Sequence, residues 1–162
     1  IRLGVATDSH DAQGQVVSEA DPGDVTEEML REAMDGMRGD IYQTPPMVSA
    51  VKVDGVPLYK RARKGQTVER KARIIHIYDF SLIEFRPPRA DFSVRCSKGT
   101  YVRTLCHDIG TALGCGAHLE SLRRTRCGEL DVEDAFPLPT VLEWDGDELR
   151  KHVIPAERFS RR

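Results

Sequence analysis

Polar and apolar positions alternate through Asp91-Phe92-Ser93-Val94-Arg95-Cys96, the period of a half-buried strand. Gly99 then permits a sharp bend. Beyond it, Tyr101, Val102, Leu105 and Ile109 recur at helical spacing as far as Leu113-Gly114. Residues 74–85 alternate for long enough to form a strand, which makes Arg86-Pro87-Pro88-Arg89 a turn and residues 90–96 the return strand. Residues 1–6 read as a strand already under way, and residues 15–17 as a short partner. Thr26 caps a helix running to about residue 37. Glu27 and Glu28 lie in its first turn, Gly39 follows its end, and Met29, Leu30, Ala33, Met34 and Met37 form its apolar stripe. Pro45-Pro46 prevents a helix and favours extended chain. Residues 49–53 then suit a strand, Asp54-Gly55 a tight turn, and residues 58–64 a helix opened by Pro57 and ended by Gly65. Residues 117–124 read as another short helix with Leu119 and Leu122 on one face. Residues 127–132 read as a last strand and residues 140–144 as a helical segment in the tail; residues 157–162 carry no clear element. The hairpins predict an α+β fold: a mixed, largely antiparallel sheet with flanking helices.

At 162 residues and 40% hydrophobic, the chain can bury one core but not two large ones. No apolar run has the length of a membrane span. Cys96, Cys106, Cys115 and Cys127 form no CxxC pair, and the five histidines are scattered. The cysteines read as small buried residues in a reducing compartment, without a metal site. The net charge of −2 hides an asymmetry: residues 1–51 carry −7, residues 52–103 carry +8 and residues 104–162 carry −3. A basic middle between acidic flanks suits a local phosphate-binding surface.

Two stretches hold candidate chemistry. Lys98 and Arg103 bracket the strand-to-helix corner at Gly99, an arrangement suited to an anion or a reacting carboxylate; an amphipathic helix with solvated charges has the same spacing. Seven cations between Lys60 and Arg73 stand against Glu69 alone, with Tyr59 and Tyr42 nearby. That one-sided sign favours RNA contact over a merely solvated helix face. Asp8 and Asp11 lack the other ligand positions of a Ca²⁺ loop and read as a surface turn.

Longer motifs carry a resemblance. Gln43-Thr44-Pro45-Pro46-Met47-Val48-Ser49-Ala50-Val51-Lys52-Val53-Asp54-Gly55, followed by Leu58-Tyr59, Ala62-Arg63 and Gly65, strongly resembles TruB-type tRNA pseudouridine synthases. So does Cys96-Ser97-Lys98-Gly99-Thr100-Tyr101-Val102-Arg103-Thr104-Leu105, with Asp108, Gly110, Leu113-Gly114, Ala117-His118-Leu119 and Leu122-Arg123-Arg124-Thr125 after it. Leu3-Gly4, Ala6-Thr7-Asp8, Asp11-Ala12 and Gly14 also fit, so the match runs in order to about residue 136.

The resemblance implies a partial pseudouridine synthase-like catalytic domain over residues 1–136. It implies an RNA-clasping insertion at about 45–73, and a tail at 137–162 leading towards an absent C-terminal RNA-binding domain. It further implies isomerisation of a T-loop uridine of tRNA by base flipping, without metal or organic cofactor, by a cytoplasmic monomer that binds no membrane. The family's catalytic aspartate lies in a Gly-Arg-Leu-Asp type motif that this sequence lacks, so the chain alone is expected to be inactive and to be a fragment. Arg103 matches the family's active-site arginine, able to hold a carboxylate ionised. Tyr101 matches a pocket tyrosine, and Leu122 an apolar residue against the target base. Lys98 and Gly99 shape the corner. Lys52, Tyr59, Lys60, Arg61, Arg63, Lys64 and Arg73, with Arg123 and Arg124, are the expected RNA contacts. The alternatives are a non-catalytic module for structured RNA and a guide-RNA-dependent relative; Val53-Asp54-Gly55 with Leu58-Tyr59 favours the stand-alone type over the latter.

Overall fold

The structure is a computed structural model, and it describes residues 1–159. Ser160, Arg161 and Arg162, the last part of the end expected to lack an element, lie outside the described residues. Two compact units divide the chain, residues 1–122 and 123–162.

The first unit is organised around a long hairpin. β7 (Arg73–Arg86) and β8 (Arg89–Cys96) pair antiparallel, and the two-residue loop between them holds a cis Pro87–Pro88 bond. β7 also pairs with β4 (Gly39–Gln43), and β8 with β1 (Arg2–Leu3), which pairs in turn with β9 (Ala117–His118). The sheet order is β4-β7-β8-β1-β9, antiparallel throughout. Ile75 and Ile77 are buried while Ile74 and Tyr78 are exposed, as alternation requires. A bulge between Ile77 and Asp79 then resets the phase, so that Phe80 rather than Asp79 faces the core.

α1 (Glu27–Asp35) and α3 (Val102–Ala112) pack together, and α1 lies on β7. Leu30, Met34, Leu105, Cys106 and Ile109 join Leu3, Ile77, Phe80 and Ala117 in one core. Thr26 caps α1, accepting from the Met29 amide at 3.3 Å. Beyond Gly4, whose φ of +82° breaks the opening strand, β2 (Val5–Thr7) pairs with β3 (Val16–Glu19). The stretch between β4 and β7 forms a hairpin, β5 (Lys52–Val53) with β6 (Val56–Pro57), followed by α2 (Leu58–Ala62). Asp54 and Gly55 both hold positive φ, the geometry of a type I′ hairpin turn.

In the second unit, β10 (Arg126–Cys127) and β11 (Leu130–Asp131) make a hairpin, where one continuous strand over 127–132 was expected. Gly128, at φ +61°, turns the chain there. α4 (Leu138–Leu142) and α5 (Gly146–His152) follow, with a 3₁₀ turn over Ala156–Phe159 where no element was expected. Asp145 caps α5 through the Asp147 and Glu148 amides, and Phe136, Trp144 and His152 pack ring against ring.

The helix expected over 117–124 is absent. Gly114 and Gly116 take positive φ, Ala117 and His118 form β9 against β1, and Leu119 bridges to Asp11. β4 was not anticipated, and of residues 49–53 only Lys52 and Val53 are in a strand.

Candidate active site

The corner after β8 is fixed by short-range bonds. The Ser97 amide donates to the His76 carbonyl at 2.8 Å, the Ser97 hydroxyl accepts from the His76 amide at 3.0 Å, and the Thr100 hydroxyl donates to the Ser97 carbonyl at 2.9 Å. Gly99, at φ +86°, completes the turn. α3 starts at once, so Arg103 stands in its first turn.

Arg103 is not left without a carboxylate. Its Nη1 donates to Asp11 Oδ2 at 2.7 Å, and its Nη2 donates to the Val48 carbonyl. Both side chains are largely covered, at 19% exposed for Arg103 and 26% for Asp11. The guanidinium lies 5.8 Å from the centre of the Tyr101 ring. Asp11, read from sequence as part of a surface turn, is thus a carboxylate of the chain itself that occupies one edge of the guanidinium.

The Asp11 loop is built for that contact. Thr7 Oγ1 donates to the Asp11 carbonyl at 2.8 Å, and Ser9 Oγ donates to Oδ1 at 2.7 Å. The Gln13 amide reaches Oδ1 at 3.1 Å. Burial alone would raise the carboxyl's pKa, but the bonds from Ser9, Arg103 and Gln13, with the Arg103 charge, outweigh it and hold Asp11 below its ordinary value. His10 turns the loop with a φ of +66°, a left-handed conformation that residues with a side chain seldom adopt.

The His10 ring stacks on His107 with centroids 4.0 Å apart and planes 2° from parallel, and its Nδ1 lies 3.3 Å from Thr104 Oγ1. Burial pushes its pKa down to about 4; His107, Arg103 and Arg70 add to the shift and Asp11 opposes it. Between about pH 6.5 and 4 the unfolded chain therefore binds the extra proton, and stability falls as the pH drops through that window. After discounting for the exposed part of the ring, the expected loss is about 1 kcal/mol. Urea titrations at pH 7 and pH 5 on the wild type and on His10→Asn measure it: the substitution should shrink the difference, and an unchanged pH dependence would count against this origin.

Other expected residues are placed as follows. Lys98 is exposed in the turn. Lys60, Arg61, Arg63 and Lys64 line a cleft of about 420 Å³ with Val56 and Gln66. Arg61 ties α2 to the hairpin through the Val53 carbonyl at 3.1 Å, and Arg63 lies over the Tyr59 ring at 5.5 Å. Lys52 and Arg73 are exposed. Leu122 lies outside any helix or strand and is 56% exposed, not on a helix face. Arg123 and Arg124 open the second unit and are exposed.

Three site residues were missed as such: Asp11, Arg70 and Gln43. Arg70 was counted only as charge; its Nη1 donates to the Pro45 carbonyl at 3.1 Å and its charge acts on His10. Among the described residues no group of three or more His, Cys, Asp or Glu side chains is placed to hold a metal ion, and no helix is long and apolar enough to cross a membrane.

This is an α+β domain of the pseudouridine synthase-like class. A chain in the crystal structure of a Cbf5-Nop10-Gar1 complex shares the fold with a TM-score of 0.65 at 32% identity, over 84% of this chain and 39% of that one. The model of the TruB family pseudouridylate synthase N-terminal domain matches residues 1–102, and that of the tRNA pseudouridylate synthase B C-terminal domain matches residues 103–159. The chain belongs to the TruB family. Proteins named tRNA pseudouridine synthase B from Opitutus terrae and Clostridium tetani are 52% and 40% identical to it, over 96% and 98% of the chain. The chain spans 65% and 54% of their respective lengths.

Proposed function

We propose that the protein containing this chain is a tRNA pseudouridine synthase that flips a T-loop uridine out of its stack and isomerises it. The observation that carries the reading is the covered Arg103–Asp11 pair beside Tyr101, tied through Val48 to the insertion that bears the basic cleft. A guanidinium has five N–H donors, so Arg103 can hold Asp11 and also orient the reacting carboxylate, which the family places in a Gly-Arg-Leu-Asp type motif outside this sequence. Tyr101 and Leu122 would border the base in a site where dry packing strengthens charge interactions. Residues 45–73, with Lys98, Arg123 and Arg124, would meet tRNA phosphates in the T stem-loop. On this reading residues 1–136 are the later part of the catalytic domain, residues 137–162 lead towards an RNA-binding domain, and the enzyme is a cytoplasmic monomer. The two named relatives, tRNA pseudouridine synthases B, support the reaction and the partner.

The test is tritium release from T stem-loop RNA labelled at C5 of uridine. The intact gene product should release it, and residues 1–162 alone should not. No release by the intact product sinks the proposal; release by a preparation whose mass is that of residues 1–162 sinks the placement of the reacting aspartate.

A further inference from the structure

Gln43 is the last residue of β4, paired with Arg73 across the sheet edge, and the basic insertion begins immediately after it. It is 3% exposed, and both ends of its side-chain amide are used on one residue 58 positions away. Gln43 Oε1 accepts from the Tyr101 amide at 2.8 Å, and Gln43 Nε2 donates to the Tyr101 carbonyl at 3.1 Å.

Tyr101 is the N-cap residue of α3, and its own side chain makes no capping bond. Its carbonyl already receives the Thr104 amide at 3.0 Å and the Leu105 amide at 3.2 Å. The Gln43 amide therefore grips the residue from which the first turn of α3 hangs, and that turn carries Arg103. Two further ties join the same few residues: Arg70 to the Pro45 carbonyl and Arg103 to the Val48 carbonyl. Pro45 and Pro46 are buried, and proline fixes φ, so this root is stiff.

We infer that Gln43 is a positioning residue: its side-chain amide locks the Tyr101–Arg103 corner to the root of the basic insertion, so that RNA held by the insertion meets the corner in one fixed register. The inference rests on the synthase reading above. A two-point bond to a main-chain amide and carbonyl sets both height and rotation of the helix start, which a packed apolar side chain cannot do. Positional errors of about 1 Å at a reacting centre lower rates about a hundredfold.

The experiment uses the intact gene product. Gln43→Met keeps the volume and loses both bonds. It should lower kcat on T stem-loop RNA about 30-fold while KM stays within about threefold. Gln43→Glu keeps the acceptor but can donate to the Tyr101 carbonyl only when protonated, so its activity relative to wild type should rise as the pH falls from about 8 to about 6. Hydrogen exchange of the Tyr101 amide, measured on the same proteins without RNA, should speed up at least about tenfold in Gln43→Met while β7 amides keep their protection. Unchanged kcat in Gln43→Met, or a loss of kcat matched by equal losses of RNA affinity and of β7 protection, overturns the inference. Absence of turnover in the wild type would fault the synthase reading instead, and Tyr101 exchange would still decide whether Gln43 locks the corner.

Discussion

Arg103→Ala in the intact gene product is expected to lower kcat on T stem-loop RNA by about a thousandfold or more, which is about 4 kcal/mol of transition-state stabilisation. The Kd for RNA should stay within about threefold. The asymmetry follows from where Arg103 spends its donors. One nitrogen is committed to Asp11 and another to the Val48 carbonyl, in a site that leaves the side chain only 19% exposed. A guanidinium in that position organises carboxylates and main chain rather than searching for phosphate. Its removal leaves the partly buried Asp11 carboxylate with Ser9 and the Gln13 amide as its hydrogen-bond partners and without its cation. Arg103→Lys should recover little, because an ammonium is a point charge and cannot span the two acceptors in one plane.

The same substitution separates catalysis from simple RNA capture. A binding module would treat Arg103 as one cation among many. Affinity would then fall modestly, and the log–log salt slope would shrink by at most about one unit. The basic cleft lined by Lys60, Arg61, Arg63 and Lys64 should behave in that second way: neutralising those residues should weaken binding and flatten the salt dependence while leaving the single-turnover rate at saturation nearly intact. A kcat for Arg103→Ala within about fivefold of wild type would remove Arg103 from the chemistry.

What could be seen in the sequence were features whose cause is local. The alternation across residues 74–96 and the turn between its halves mark the β7–β8 hairpin, observed as Arg73–Arg86 and Arg89–Cys96. The Thr26 cap, the Asp54-Gly55 turn and the start of α3 after Gly99 are likewise set by neighbours in sequence. Features with a distant cause were misread. Leu119 and Leu122 have helical spacing, but β1, more than a hundred residues earlier, claims Ala117 and His118 for the sheet. Asp11 has the company of a surface turn, and only a partner 92 residues away makes it a site residue. Gln43 follows the same pattern: its meaning lies in a residue 58 positions away. The family motifs named both stretches without saying that they touch.

Gly110→Ala should be among the most destabilising single changes in the chain, at about 3 kcal/mol net, although alanine is the better helix former by about 1 kcal/mol. Gly110 lies inside α3, where the helix crosses the turn before β9. A Cβ there would sit 2.1 Å from the Ala117 nitrogen, 2.3 Å from the Gly116 carbonyl carbon and 2.5 Å from the Ala117 Cβ. These are mostly main-chain atoms, so no flexible side-chain end can swing away. Nor can the strand retreat freely: the Gly116 amide donates to the Gly110 carbonyl at 2.9 Å, and β9 is hydrogen-bonded to β1. Moving α3 off β9 would also pull at Leu119, whose amide donates to the His10 carbonyl at 2.9 Å and whose carbonyl receives the Ala12 amide at 3.0 Å. Those two bonds hold the loop that presents Asp11 to Arg103, so a packing defect on the far side of α3 should reach the site. Gly99→Ala is the control. Gly99 has open space around it but φ of +86°, so its substitution carries backbone strain alone, about 1 kcal/mol. Thermal unfolding of both variants should show Gly110→Ala melting about 10 °C below the wild type and Gly99→Ala about a third of that shift. Equal shifts for the two, or a Gly110→Ala protein as stable as the wild type, would mean that α3 and β9 are not in the close contact described.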